Sequence, residues 1–325
     1  MANQAPPVLH ARPGEPTVTD GRRSVALLAA ARRGHAGLYW FAAAMAVTAG
    51  VTVVGLAVDH RVLLGAPLWT KPLKFALSFG LYTLTLAWML AHVRRGRRIA
   101  SALGWVVVVT SAIEMVIITG QAARGHRSHF NADTALDSRL FSIMGTSVAV
   151  LWLATAVLAV VVVRQRIVDR VLAWSIGFGL LVALGGMAVG VLMTAQPGGG
   201  AHSVGVPDGG AGLPLVGWST TGGDLRVGHF VGIHALQVIP LLGAVLAGVP
   251  RRLLPERARL GLVTVAAGGY VGLVALLTWQ ALRGQPLVAP DRATVAAVAA
   301  LMTAVGLGAV LVVAGSRRAA TRSRA

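Results

Sequence analysis

The chain has no cysteine among its 325 residues. That removes disulfides, thiolate metal centres, iron–sulfur clusters and covalently attached haem from consideration, while leaving histidine-ligated metal and b-type haem open. Charge is scarce as well. Asp, Glu, Lys and Arg make up 12% of the residues, about half the usual share in a soluble domain, ~25%. Acids are the scarcest charged class, 11 against 29 basic residues. The first 36 residues contain no apolar core of a cleavable signal peptide, so the first apolar run reads as an uncleaved anchor. No internal repeat is strong enough to argue an inverted-repeat transporter.

What fills the chain instead is Ala, Val, Leu and Gly. Hydrophobic residues reach 55% and the mean hydropathy is +0.72. A soluble fold of this size cannot hide so much apolar surface. The apolar residues come in eight continuous runs, at 37–58, 70–92, 99–121, 141–163, 171–195, 228–248, 262–282 and 294–315. Each approaches or exceeds the ~20 residues that cross a bilayer core as a helix. The runs do not alternate, which excludes barrel strands. The predicted fold is all-α, a polytopic transmembrane helical bundle with eight spans. Residues 1–36 form a flexible N-terminal tail ending in an interfacial turn near Val25 to Arg33, 37–315 the membrane domain, and 316–325 a basic tail.

A net charge of +18 raises the question of nucleic acid, and the placement of the charge answers it. Twenty of the 29 basic residues fall in the N-terminal segment, in the three even-numbered loops and in the C-terminal tail. These segments share one side of the membrane if there are eight spans. That is the positive-inside distribution, with both termini cytoplasmic, and nucleic acid is not an expected partner. The partners expected are the lipid bilayer and a small-molecule or lipid-like ligand. Ala/Val/Arg-rich usage fits a high-GC bacterial genome, and hence the plasma membrane as location.

The odd-numbered loops then face outward, and two polar segments stand out there: Gly120 to Asp137 and Gly217 to Gln237. They hold four of the nine histidines, three acids and three arginines. Polar groups crowded at the ends of apolar helices are costly and usually mark a site. A Gly-rich outer loop, about 196–227, precedes the sixth span. Its length suggests a lid, and its glycines suggest mobility.

Lys71 and Lys74 lie on one face of the second span with Ser78 and Tyr82. Glu114 and Gln121 share a face of the third, with Glu114 roughly 10 Å below the outer end at 1.5 Å per residue. His234 and Gln237 share a face of the sixth at similar depth. Lys74 and Glu114 are therefore expected to pair, and His129, His229 and His234 to converge with Glu114 and Arg226 on one outward cavity. Lys74 can instead snorkel to the headgroups. Thr134 with Asp137 matches a capping pattern for the fourth span, and Asp224 is placed to cap the sixth.

Several chemistries suit these residues. His126, His129, His229 and His234 supply up to four imidazoles for a metal, although neither His126-x-x-His129 nor His229-x4-His234 is a diagnostic spacing. His234 is the best placed axial ligand for a b-type haem. Haem A synthase-like proteins resemble this chain in having eight spans with outer-side histidines. The resemblance is one of topology alone, since the eighth span here has no histidine and that family's acidic–histidine motif is not evident. A hydrolase would use His129 or His234 as base, with Ser219 or water as nucleophile, but no elbow motif is present. Glu114, His129 and His234 are the candidate catalytic residues. Lys71, Lys74, Gln121, Arg124, Arg127, Asp224, Arg226 and Gln237 are the candidate ligand-binding set, and their cations can also serve an anion-binding funnel. The leading reading is a membrane-embedded enzyme on a small or lipid-like substrate. The alternative is a transporter or sensor of an anionic small molecule.

Overall fold

The computed structural model describes residues 18–322 apart from 166 and 168, with side chains from 25 to 318. It is almost wholly helical. In chain order the helices are α1 (Val18–Gly34), α2 (Ala36–Val58), α3 (Thr70–Leu90), α4 (Arg97–Ala123), α5 (Ala135–Val163), α6 (Arg170–Thr194), α7 (Leu225–Gly248), α8 (Glu256–Leu282) and α9 (Arg292–Arg322). Helices α2 to α9 are long and apolar enough to cross a membrane. The architecture is that of a multi-pass membrane protein, and the eight predicted spans each fall on one of these helices.

The surface agrees with a lipid surround. Val47, Val51, Leu181, Leu241 and Leu311 are all more than half exposed, which is unfavourable in water and costs nothing against hydrocarbon. The predicted N-terminal tail differs from what is observed. Its first part, residues 1–17, lies outside the described residues, but from Val18 onward it is a helix that docks on α3. Gly34 sits so close to α3 that a Cβ there would lie 1.9 Å from the Ala87 carbonyl oxygen. The basic tail is likewise a continuation of α9 as far as Arg322.

Helix packing is closest between α6 and α7. A Cβ on Gly186 would fall 2.4 Å from the Gly232 carbonyl carbon, so the two backbones touch through glycine alone, as small-residue membrane interfaces do. Pro240 inside α7 is accommodated opposite Gly179 on the same seam. Between helices the polar side chains pair with one another. Tyr82 Oη and Thr155 Oγ1 lie 2.5 Å apart across α3 and α5, and Gln237 Nε2 donates to Thr85 Oγ1 at 3.2 Å across α7 and α3.

The loops α2–α3, α4–α5, α6–α7 and α8–α9 meet at one end. Two short antiparallel pairings stiffen them: β1 (Val62–Leu63) with β2 (Ala66–Pro67), and β3 (Ser203–Val204) with β4 (Gly223–Asp224). The α6–α7 segment, 195–224, lies over this end as an ordered lid, where a mobile loop was predicted. Leu213 N donates to Trp218 O at 2.8 Å, Thr220 N to Ala211 O at 3.0 Å and Leu225 N to His202 O at 3.0 Å. The lid crosses the first loop where Gly209 packs on Leu64.

Candidate functional site

Beneath the lid, residues from α3, α4, α7, the α4–α5 loop and the lid itself form one polar cluster. The lid contributes His202 and Asp208. Their six-residue separation is closed by a turn through Gly205, whose φ of 80° is in the left-handed region that suits glycine. Asp208 accepts from the His202 ring Nδ1 at 2.7 Å, from the His202 backbone N at 3.1 Å and from Ser203 N at 2.8 Å. Burial alone would raise the Asp208 carboxyl, but these donors outweigh it and hold the group well below the usual carboxylate range. A carboxylate only accepts, so the His202 proton sits on Nδ1 and Nε2 is left bare.

His202 packs against Phe130 at 4.9 Å and His129 at 6.2 Å between ring centres. His129 is enclosed by Phe75, Phe130 and Phe141. Burial in this aromatic box pushes its imidazole well below the ordinary value, and the nearby Lys71 charge adds to the effect. Burial also lowers His202, with the Asp208 hydrogen bond opposing it. Both imidazoles are thus neutral at neutral pH. Phe130 holds a left-handed φ of 50° between them, a strained geometry of the kind that gathers at functional sites. It presses on Gly200 of the lid, where a Cβ would lie 2.4 Å from the Phe130 ring.

The helices bring three more groups. Lys71, in the first turn of α3, lies 6.0 Å from the Phe75 ring centre and within electrostatic range of Glu114, Asp208 and Arg226. Glu114 on α4 is 1% exposed. Its Oε1 has no hydrogen-bond partner, nor has Ser111 Oγ one turn away on the same helix. A buried orphan oxygen costs about 1–3 kcal/mol, so its retention points to a role. His229 on α7 donates Nδ1 to Gly186 O at 2.8 Å, which again leaves Nε2 bare.

The expected Lys74–Glu114 pair is not formed. Lys74 Nζ reaches up to the Val216 carbonyl at 2.8 Å and pins the lid, while Lys71 takes the place near Glu114. Arg226 also serves the lid. It is held bidentately by Asp224, at 2.9 and 2.6 Å, and donates to Gly217 O at 2.6 Å. Asp224 caps α7 by accepting from Arg226 N, as predicted. Ser219 Oγ accepts from the Thr221 and Gly222 amides in the adjoining turn, which leaves little for a nucleophilic role.

Four of the predicted residues belong to a separate corner. Gln121 Nε2 donates to Asp137 Oδ1 at 2.7 Å, Arg124 donates to Gln121 Oε1 at 2.5 Å, and His126 Nδ1 lies 3.4 Å from Asp137. Arg127 pairs with Asp133 at 3.0 Å. Thr134 caps α5 by accepting from Asp137 N, as predicted. This network joins α4 to α5. His234 lies deeper, facing Gln237 at 3.3 Å, in the layer where side chains are paired across helices.

The proposed metal quartet of His126, His129, His229 and His234 is therefore divided between the corner, the aromatic box, the α6–α7 seam and the deeper layer. Among the described residues no group of three or more His, Cys, Asp or Glu is placed to hold a metal ion. His234, the expected haem ligand, meets Gln237 through Nδ1 at 3.3 Å. His202, in the loop that reads as loose, is the residue sequence reasoning missed. The available signal was a histidine and an aspartate six apart, enclosed by turn glycines. No protein-family model, curated protein or solved structure matches the chain.

Proposed function

We propose that the protein is a membrane-embedded enzyme working at the lidded end of the bundle on a small or lipid-like substrate, with His202 as general base. The observation that carries this reading is the Asp208–His202 pair. A half-buried carboxylate fixes the tautomer and leaves a neutral imidazole with a bare Nε2, which is the arrangement a proton acceptor needs. Lys71 supplies a positive charge for an anionic or carbonyl oxygen of the substrate. The free oxygen of Glu114 accepts a hydrogen bond from a substrate hydroxyl or amine, and His129 and His229 extend the set of neutral imidazoles. The lid, tied down by Lys74 and Arg226, excludes water and must lift for substrate to enter.

The distribution of basic residues supports termini in the cytoplasm and the lid outside, and the Ala/Val/Arg-rich usage supports a bacterial plasma-membrane setting. The alternative, a transporter or sensor of an anionic small molecule, draws on the same Lys71. Against it, the polar groups deeper in the bundle (Tyr82 with Thr155, Gln237 with Thr85) are spent on each other, and a transport path needs free polar groups through the far half.

The test is a conversion screen. Purified protein in liposomes is incubated with a total lipid extract and with a polar metabolite extract, and products are followed by mass spectrometry. Wild type and His92→Asn, altered at the opposite end, should convert a species that His202→Asn leaves untouched. Equal conversion by His202→Asn would overturn the assignment of the base. Binding without conversion by any of the three would favour the transporter or sensor reading.

A further inference from the structure

The opposite end of the bundle has a concave site of different chemistry. A cavity of about 410 Å³ opens where the α1–α2 corner meets the start of α4, and its lining includes Arg32, Arg33, Arg97, Arg98, His35 and Trp105, with no acid. Among the described residues none of the four arginines forms an ion pair with Asp or Glu. The walls are held in place. His35 Nδ1 accepts from Leu38 N at 3.0 Å, so its proton is on Nε2, which donates to Ser101 O at 3.0 Å. The same ring meets Trp105 edge-on at 5.6 Å. Arg32 lies over Trp40, 5.7 Å from the ring centre. The first turns of α2 and α4 line the cavity with their unpaired amides and positive dipole ends, and the last turn of α1 lines it too, its negative end offset by Arg32 and Arg33.

Four like charges around one concave wall repel one another, and a bound anion relieves that repulsion. Guanidinium forks match phosphate oxygens bidentately. The basic loops at this end also orient the protein, but orientation requires only that arginines be on this side. Arg94, Arg251 and Arg252 satisfy it without lining the cavity. We propose that the cavity binds a phosphate group, presented either by an anionic phospholipid headgroup or by a soluble phosphate monoester. Its volume lies within the ~300–1,000 Å³ usual for small-ligand sites.

The full-length protein in neutral detergent is titrated in native mass spectrometry with phosphatidylglycerol, and with phosphatidylcholine of the same chains as the neutral control. Wild type should hold phosphatidylglycerol in preference. The double variant Arg33→Gln, Arg97→Gln should lose about tenfold in that affinity, the equivalent of one charge-assisted contact. The control pair Arg251→Gln, Arg252→Gln should not. The single variants, each with its unliganded melting temperature near wild type, should each lose part, which keeps the result readable if the double variant folds poorly. Competition by glycerol 3-phosphate separates the two sources. Displacement with the same arginine dependence means a soluble monoester, and its failure means the lipid headgroup. Phosphatidylglycerol affinity unchanged in the cavity variants, or lowered equally in the control pair, would overturn the proposal.

Discussion

Asp208 receives both the backbone amide of His202, at 3.1 Å, and the ring Nδ1 of the same residue, at 2.7 Å. One carboxylate thus sets the path of the lid and the tautomer of the histidine it carries. Asp208→Asn keeps the size but forfeits the charge-assisted bonds. The lid should loosen by about 1–3 kcal/mol, and amide hydrogen exchange across residues 203–208 should rise while that of α6 and α7 stays unchanged. Unaltered exchange at 203–208 would mean that other contacts order the lid.

Stability should fall on acidification, and the sign follows from the histidines. His129 and His202 are both held below the ordinary value by burial. In the unfolded chain they take up protons below about pH 6.5; in the folded protein they do so only at lower pH. The stability this gives is complete above the unfolded value and is lost as pH drops from there through the folded values. The melting temperature should therefore decline from pH 7 to pH 5, and more gently in His129→Phe, which keeps the aromatic box but not the titrating group. An identical decline in that variant would show that His129 is not buried neutral.

Charge coupling should follow Lys71 rather than Lys74. Double-mutant cycles of Lys71→Met with Glu114→Gln should give an interaction of about 0.5 kcal/mol or more, whereas Lys74→Met with Glu114→Gln should be additive within about 0.5 kcal/mol. Lys74→Met alone should speed proteolysis of the lid near Val216. Strong coupling of the Lys74 pair would contradict the observed geometry.

At the α6–α7 seam, Gly186→Ala places a methyl group against the Gly232 backbone. Backbone cannot swing aside as a side chain can, so the helices must separate, at a cost of about 1–3 kcal/mol, and the His229 hydrogen bond to Gly186 O is disturbed with them. Gly185→Ala, where nothing lies within 4 Å of the added Cβ, should be nearly neutral. A thermal shift assay on both variants decides the matter.

The spans were legible because a run of some twenty apolar residues admits one solution in a bilayer. The caps Thr134 and Asp224 were legible because their partners are local, two or three residues away. Helix α1 was not, since its apolar run, Val25 to Ala31, is too short to span a bilayer and its docking depends on the close approach of Gly34 to α3. The site was legible only in part. Depth along a helix follows from counting residues, and it placed Lys74, Glu114 and His234 in one layer, although His234 proves to lie deeper, beside Gln237. Rotation about the helix axis decides which lysine meets Glu114, and that is set by packing between α3 and α4. His202 was hidden for a related reason. A Gly-rich stretch reads as loose until its tertiary contacts with Phe130, Leu64 and Lys74 are known.

The central claim is that His202, oriented by Asp208, is the base. Its most direct test is the pH dependence of kcat/KM for the species identified in the conversion screen, in wild type and in Asp208→Asn. Burial lowers His202 and Asp208 partly restores it. Wild type should therefore show an acid limb below pH 6.5, because the base must be neutral to act. In Asp208→Asn the limb should move to still lower pH while the plateau rate falls. An acid limb at or above 6.5 that does not move with Asp208→Asn would show that another group takes the proton.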